Sequence, residues 1–226
     1  MGEVQVLNFF NADIDSVKLA DTVPELKGTA AKLAELKKYL KPQIFWRELL
    51  LEEILNGVLI FDGGSFEIDS AYVAQGLKYC KKATLYTVTL GPTLPQYSRC
   101  CLAEGRLWEA AVADIFGSQG VEIITERFQG YLKGRYLPQG LFATLRFSPG
   151  YGDWSLSAQK QIIRYLGAED IIKVSANFLL EPVKSITALA GWSKYPQSGE
   201  YPQGDRGKGF CRGGSCAYCI TWACKK

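Results

Sequence analysis

Apolar residues recur every three or four positions near the start of the chain, which is the spacing of an amphipathic helix. The pattern runs through residues 23–56, "VPELKGTAAKLAELKKYLKPQIFWRELLLEEILN". Proline disturbs a helix interior, so Pro42 interrupts the run. The spacing therefore predicts helix on both sides of that proline. Its clearest apolar positions are Leu26, Ala30, Leu33, Leu36 and Leu40.

Shorter patterns follow. The segment "VLIFDGGSFEI" places two apolar runs around Asp62, Gly63 and Gly64, which predicts a β-hairpin. Next, "SAYVAQGLKYCKKA" is typical of a short helix. The β-branched segment "TLYTVTLG" predicts a strand that ends at Gly91 and Pro92.

The longest helix is predicted over residues 103–128, where apolar side chains form one stripe. Gly117 and Gly120 weaken this helix unless they allow another element to pack closely. The predicted stripe consists of Trp108, Ala111, Val112, Ile115 and Phe116.

The second half of the chain predicts a strand at "LFATLRF", a helix over residues 155–167 and two strands around Pro182. Helices and strands do not alternate regularly, as they would in a doubly wound fold. We therefore predict an α+β fold, with an antiparallel or mixed sheet covered by helices.

Composition changes after Trp192, where Gly, Pro, Ser and charged residues dominate. Such a segment buries little apolar surface and is typical of a linker. We expect one folded domain over residues 1–192, followed by a linker and a cysteine-rich tail over residues 193–226.

Composition also limits the chemistry. The chain contains no histidine, which excludes Ser-His-Asp hydrolases, Cys-His proteases and His-ligated zinc enzymes. A net charge of +3 with scattered lysines and arginines gives little reason to expect nucleic acid as a partner. No apolar run is long enough to span a membrane, and the start is unlike a secretory signal. We therefore expect a cytoplasmic protein without a membrane partner.

The tail "CRGGSCAYCITWACKK" has the spacing C-x4-C-x2-C-x4-C. Four thiolates make a complete ligand set for zinc or for an iron–sulfur cluster. A tail that binds no metal, or that forms disulfides, is the third interpretation. The four cysteines are Cys211, Cys216, Cys219 and Cys224.

The segment "RFSPGYGDWSLSAQKQ" joins a predicted strand to a predicted helix. Pro149 and Gly150 are ordinary turn residues, and Asp153 or Ser155 can cap the helix that follows. The same joint suits a binding site, because turn backbone groups are exposed and Arg146 can hold a carboxylate or phosphate with two hydrogen bonds.

Four segments together resemble one family. "RFSPGYGDWSL" resembles the Arg-x-x-Pro-Gly-Tyr signature of the S-adenosylmethionine-binding activation domain of cobalamin-dependent methionine synthase, and of its free-standing bacterial relatives. "TVTLGP" and "EPVKSITALAG" also resemble segments of this family. Along "AVADIFGSQGVEIITERF", the family's residue types match Asp114, Glu122, Glu126 and Arg127. The resemblance covers roughly residues 55–192.

The resemblance implies a binding site for S-adenosylmethionine. Arg146 would hold the ligand's carboxylate, and backbone groups of Ser148, Pro149 and Gly150 would read its nucleoside. The ring of Tyr151 would lie against the adenine or the sulfonium. Glu126 or Asp114 would take the ammonium or the ribose hydroxyls; the alternative for these two carboxylates is a solvated helix face or an ion pair.

The resemblance also implies a role. Such a domain reactivates a cobalamin (corrinoid) methyltransferase whose cobalt has been oxidised, using S-adenosylmethionine and an electron from a flavodoxin, a ferredoxin or the cysteine tail. The chain would then be a separate activation subunit of a cobalamin-dependent methionine synthase. The alternative is a module that senses S-adenosylmethionine, or docks on a corrinoid protein, without catalysing methyl transfer.

Overall fold

The computed structural model describes residues 3–8 and 14–195. In that part of the chain the strands are β1 (Gln5–Asn8), β2 (Gln43–Leu55), β3 (Val58–Phe61), β4 (Phe66–Asp69), β5 (Cys80–Thr89), β6 (Phe142–Phe147), β7 (Lys173–Val174), β8 (Leu180–Glu181) and β9 (Ser185–Ser193). The α-helices are α1 (Ser16–Thr22), α2 (Ala30–Leu36), α3 (Ala71–Leu77), α4 (Thr93–Ala103), α5 (Leu107–Tyr136) and α6 (Ala158–Tyr165).

One seven-stranded sheet organises the molecule, in the order β4-β3-β2-β5-β9-β6 with β1 also paired to β2. Every pair in it is antiparallel. The short strands β7 and β8 form a separate antiparallel pair. The predicted α+β class with an antiparallel sheet is confirmed.

Helices cover both faces of the sheet. Successive residues of a strand point to opposite faces, and Leu85 belongs to one hydrophobic cluster while Tyr86 belongs to another. The Leu85 face packs against α3 and α6, whereas the Tyr86 face packs against the second half of α5. A third cluster joins α1, α2 and α4 to the first half of α5.

The prediction of helix on both sides of Pro42 is wrong after that residue, because residues 43–55 form β2. This strand lies between β5 on one side and β1 and β3 on the other. Within the strand, the adjacent residues Phe45 and Trp46 are both buried, on opposite faces of the sheet. A strand buried on both faces has a continuous apolar run rather than alternation, so its periodicity resembled that of a helix.

The long helix is present but begins and ends later than predicted, and α4, which precedes it, was not predicted. Within the predicted stripe, Val112 and Phe116 are buried, but Trp108 is 59% exposed. The glycines do permit close packing, since a Cβ at Gly117 would lie 3.0 Å from Leu94 Cδ2. Tertiary contacts therefore offset the low helix propensity of glycine.

The predicted hairpin is confirmed as β3 and β4, and the helix predicted over residues 155–167 is confirmed as α6. The two strands predicted around Pro182 are present as β8 and the long β9, although β8 has only two residues and pairs with β7. Across the two described ranges, no helix has the length and apolarity needed to cross a lipid bilayer.

Candidate functional site

Arg146 lies near the end of β6, at one edge of the main sheet. It is paired with Ala190 of β9, and the next residue, Phe147, is paired with Leu189. Because neighbouring side chains in a strand alternate, Phe147 enters the α3–α6 face while Arg146 points to the α5 face. The guanidinium of Arg146 thus lies at the surface between β6 and α5.

Glu122 of α5 meets this cation. Its Oε2 accepts a hydrogen bond from Arg146 Nη2 at 2.8 Å, and the Arg146 side chain is 27% exposed. Burial lowers the pKa of Arg146, but the charge and hydrogen bond of Glu122 outweigh burial and raise that pKa above its usual value. The guanidinium is therefore a permanent, partly accessible cation.

A compact turn over residues 148–151 follows the strand; we call it the Pro-Gly-Tyr turn. Gly150 has φ of 91°, which favours glycine, and its N–H donates to the carbonyl of Trp154 at 2.8 Å. The Tyr151 N–H donates to the carbonyl of Ser148 at 3.3 Å, and Pro149 is buried. The Tyr151 side chain remains 41% exposed, and it interacts electrostatically with Arg146.

Asp153 does not cap the helix that follows it, contrary to one of the expected roles. Its carboxylate instead accepts hydrogen bonds from the start of α3: from Ser70 Oγ at 2.5 Å, Ala71 N at 2.9 Å and Tyr72 N at 3.2 Å. Burial raises the pKa of Asp153, but these hydrogen bonds outweigh it and the pKa lies below its usual value. Near α6, Ser155 Oγ accepts from Ser157 N.

The two other predicted carboxylates lie on α5, on either side of Glu122. Glu126 is exposed one helical turn further on, about 6 Å along the axis. Asp114 lies about 12 Å before Glu122, and its Oδ1 pairs with Lys184 Nζ at 2.7 Å. Asp114 is therefore engaged by Lys184, whereas Glu126 lies one helical turn from Glu122, the residue that pairs with Arg146.

Two residues at this site were not among the predicted ligand-binding residues. Glu122 is one of them, and its pairing with Arg146 depends on how α5 crosses the sheet. The three bonds from Asp153 to α3 join residues more than 80 positions apart in the chain. A local pattern carries no signal for either contact.

The predicted metal ligands Cys211, Cys216, Cys219 and Cys224 lie outside the described residues. Within residues 3–8 and 14–195, no group of three or more Cys, Asp or Glu side chains could hold a metal ion. The three other cysteines, Cys80, Cys100 and Cys101, are free thiols.

The Arg146 region therefore combines a cation, a nearby carboxylate, turn backbone groups and an exposed aromatic ring. These groups suit a ligand with a charged amino-acid end and a flat ring. An open depression between α1 and α2 is lined by Asp15, Ala30 and Lys37, among others, and shares no residue with this site.

No family model matches the chain, and no curated protein matches it. Among solved structures, the chain is similar to the crystal structure of the MetH reactivation domain bound to AdoHcy, with a TM-score of 0.64 and 11% sequence identity. The similarity covers 87% of this chain and 79% of that one. The chain therefore has an α+β fold similar to that of the MetH reactivation domain.

Proposed function

We propose that the chain binds S-adenosylmethionine beside Arg146 and the Pro-Gly-Tyr turn, and uses it to reactivate a cobalamin-dependent methyltransferase. The observation that carries this proposal is the position of Arg146. Its charged guanidinium lies close to the end of β6, and the Pro-Gly-Tyr turn with the exposed Tyr151 ring follows that strand directly. A fold similar to a domain solved with AdoHcy supports the choice of ligand class.

Each part of the site would have a distinct task. Arg146 keeps 27% of its side chain exposed, so its fork can reach a carboxylate from solvent. Glu122, which is 47% exposed beside it, keeps the cation in place and offers an acceptor to an ammonium group. Backbone groups of the Pro-Gly-Tyr turn would take the nucleoside, with the Tyr151 ring against the base or the sulfonium.

The chain's own groups would bind and orient, while the methyl-transfer chemistry comes from the ligand's sulfonium and the partner's cobalt. The absence of histidine is compatible with this, since no general base is needed. Burial raises the pKa of Tyr86, whose ring lies near Arg146, so this phenol stays neutral and adds no competing charge.

Binding is tested by isothermal titration with S-adenosylmethionine and S-adenosylhomocysteine. We expect Arg146→Ala to weaken binding by about 2 kcal/mol, roughly 30-fold, because it removes a charge-assisted pair. Arg146→Lys should restore part of the loss, since a point charge does not reproduce the guanidinium fork. The matched control is Arg164→Ala. Arg164 also pairs with a glutamate, but it belongs to α6 and its side chain is 80% exposed. Unchanged affinity in both Arg146 variants would reject the site.

Methyl transfer is tested with an oxidised corrinoid protein, a reductant and S-adenosylmethionine labelled in its methyl group. Label on the cobalamin that depends on this chain and is reduced by Arg146→Ala supports reactivation. Tight binding without transfer supports the alternative, a module that senses S-adenosylmethionine or docks on a corrinoid protein.

A further inference from the structure

The Pro-Gly-Tyr turn ends at Tyr151 and is followed at once by two residues that contact a different helix. Asp153 places both carboxylate oxygens on the start of α3, where they accept from Ser70 Oγ, Ala71 N and Tyr72 N. Ser70 Oγ in turn accepts from Val73 N at 3.1 Å. Two of the first N–H groups of α3, which have no partner inside the helix, are thus satisfied by Asp153, and a third by Ser70, the N-cap of α3.

Gly152 adds a second contact to the same helix. A Cβ at this position would lie 2.7 Å from Cγ and Cδ1 of the Tyr72 ring, so no side chain fits there. Its φ of 59° also favours glycine. The backbone of residue 152 therefore lies directly against the aromatic ring.

The other end of the turn is held by the same ring. Tyr72 meets the Phe147 ring edge-on, with centroids 5.4 Å apart. Phe147 in turn occupies the space beside Gly76 of α3, where a Cβ would overlap its ring. The segment from Phe147 to Asp153 is consequently fastened to α3 before and after the turn.

We propose that Asp153 is a positioning residue: its carboxylate clamps the Pro-Gly-Tyr turn onto α3 and so holds Tyr151 where the turn meets the nucleoside half of the ligand. The ligand part of this inference rests on the proposed function. In this role Asp153 acts through the turn, because both of its carboxylate oxygens accept hydrogen bonds from α3. Between these contacts, the described backbone hydrogen bonds of the turn run to Trp154 and, within the turn, to Ser148.

The chain supplies a matched control. Asp15 caps α1, a helix of seven residues like α3, by accepting from Val17 N at 3.1 Å and Lys18 N at 3.0 Å. Asp15→Ala and Asp153→Ala should both lower the melting temperature by a few degrees, since each removes side-chain hydrogen bonds to the first N–H groups of a short helix. If Asp153 contributed only to the stability of the fold, the two variants would also behave alike in the measurements below.

The first measurement needs no ligand. We expect Asp153→Ala to speed hydrogen exchange at the N–H groups of Gly150 and Tyr151 by at least about tenfold, corresponding to about 1.4 kcal/mol of lost protection. Asp15→Ala should leave them unchanged. Equal protection in both variants would overturn the proposal, whether or not the protein binds S-adenosylmethionine. Asp153→Asn, which keeps one acceptor oxygen, replaces Asp153→Ala if the latter fails to fold.

The second measurement compares S-adenosylhomocysteine with 5′-methylthioadenosine, which lacks the amino-acid end. Asp153→Ala should weaken both ligands by the same factor, about tenfold, because it acts on the nucleoside half. Arg146→Ala should weaken only the first ligand. In a double-mutant cycle, adding Asp153→Ala to Tyr151→Ala should cost little more affinity, since Asp153 acts through Tyr151. If the affinity losses of the two single variants simply added in the double variant, Asp153 would not act through Tyr151. If the wild-type protein bound neither ligand, the proposed function would be rejected, while the hydrogen-exchange result would still test the clamp.

Discussion

At the scale of single residues, burial separates the three described cysteines. Cys80 is only 6% exposed, and burial raises its pKa to about 12. Cys101 is fully buried, whereas Cys100 beside it is exposed. The thiolate is the reactive form of cysteine, so the buried Cys80, whose pKa is raised, should react more slowly than the exposed Cys100.

We expect iodoacetamide at pH 8 to modify Cys100 at least about 100-fold faster than Cys80 in the folded protein. With its pKa raised, Cys80 carries a thiolate in roughly one molecule in ten thousand at this pH, and this fraction rises only as the pH approaches 12. Mass spectrometry of peptides over a time course measures both rates. Denaturant should make them similar; similar rates without denaturant would show that β5 opens readily.

At the scale of elements, glycines in the helices have opposite roles. Gly76 of α3 leaves room for the Phe147 ring, which a Cβ would overlap. Gly134 of α5 is exposed and has nothing within 4 Å of the place a Cβ would occupy. Packing requires glycine at position 76. At position 134 glycine lowers the stability of the helix and no packing contact compensates for this.

These two positions predict opposite outcomes for the same substitution. Gly134→Ala should raise the free energy of unfolding by about 0.5–1 kcal/mol, because alanine loses less backbone freedom in a helix. Gly76→Ala should lower it by about 1–2 kcal/mol, since overpacking outweighs the same gain. Urea denaturation of both variants measures the difference. A stabilising Gly76→Ala would mean that Phe147 has room to move away from α3.

At the scale of the whole molecule, the three hydrophobic clusters of the described residues draw their members from residues 7–192. Strand β9 ends at Ser193, and Tyr195 is 66% exposed. The boundary near residue 192 stays a prediction, as do the ligands Cys211, Cys216, Cys219 and Cys224. We propose that residues 1–192 form the S-adenosylmethionine-binding domain and that the tail holds zinc or an iron–sulfur cluster.

Truncation after Tyr195 tests this division. We expect the melting temperature to change by no more than a few degrees, because the truncated protein keeps the residues named in the three hydrophobic clusters. Elemental analysis of anaerobically purified full-length protein should find zinc, or iron with sulfide, and the truncated protein should have lost it. Less than about 0.2 metal per chain would contradict a tight four-thiolate site. Unfolding of the truncated protein would make the tail structural and favour zinc.

The sequence alone determined the fold class, the hairpin, α6 and the strand–turn segment with Arg146, because turn residues and local periodicity carry those features directly. Only the tertiary structure decided that residues 43–55 are a strand, since their apolar run is compatible with a helix until β1, β3 and β5 are paired with it. The same holds for the site. The residues of the Pro-Gly-Tyr turn are adjacent in the chain, but the contacts of Arg146 with Glu122 and of Asp153 with α3 join distant segments. Such contacts arise from the crossing of packed elements, and a local pattern does not encode them.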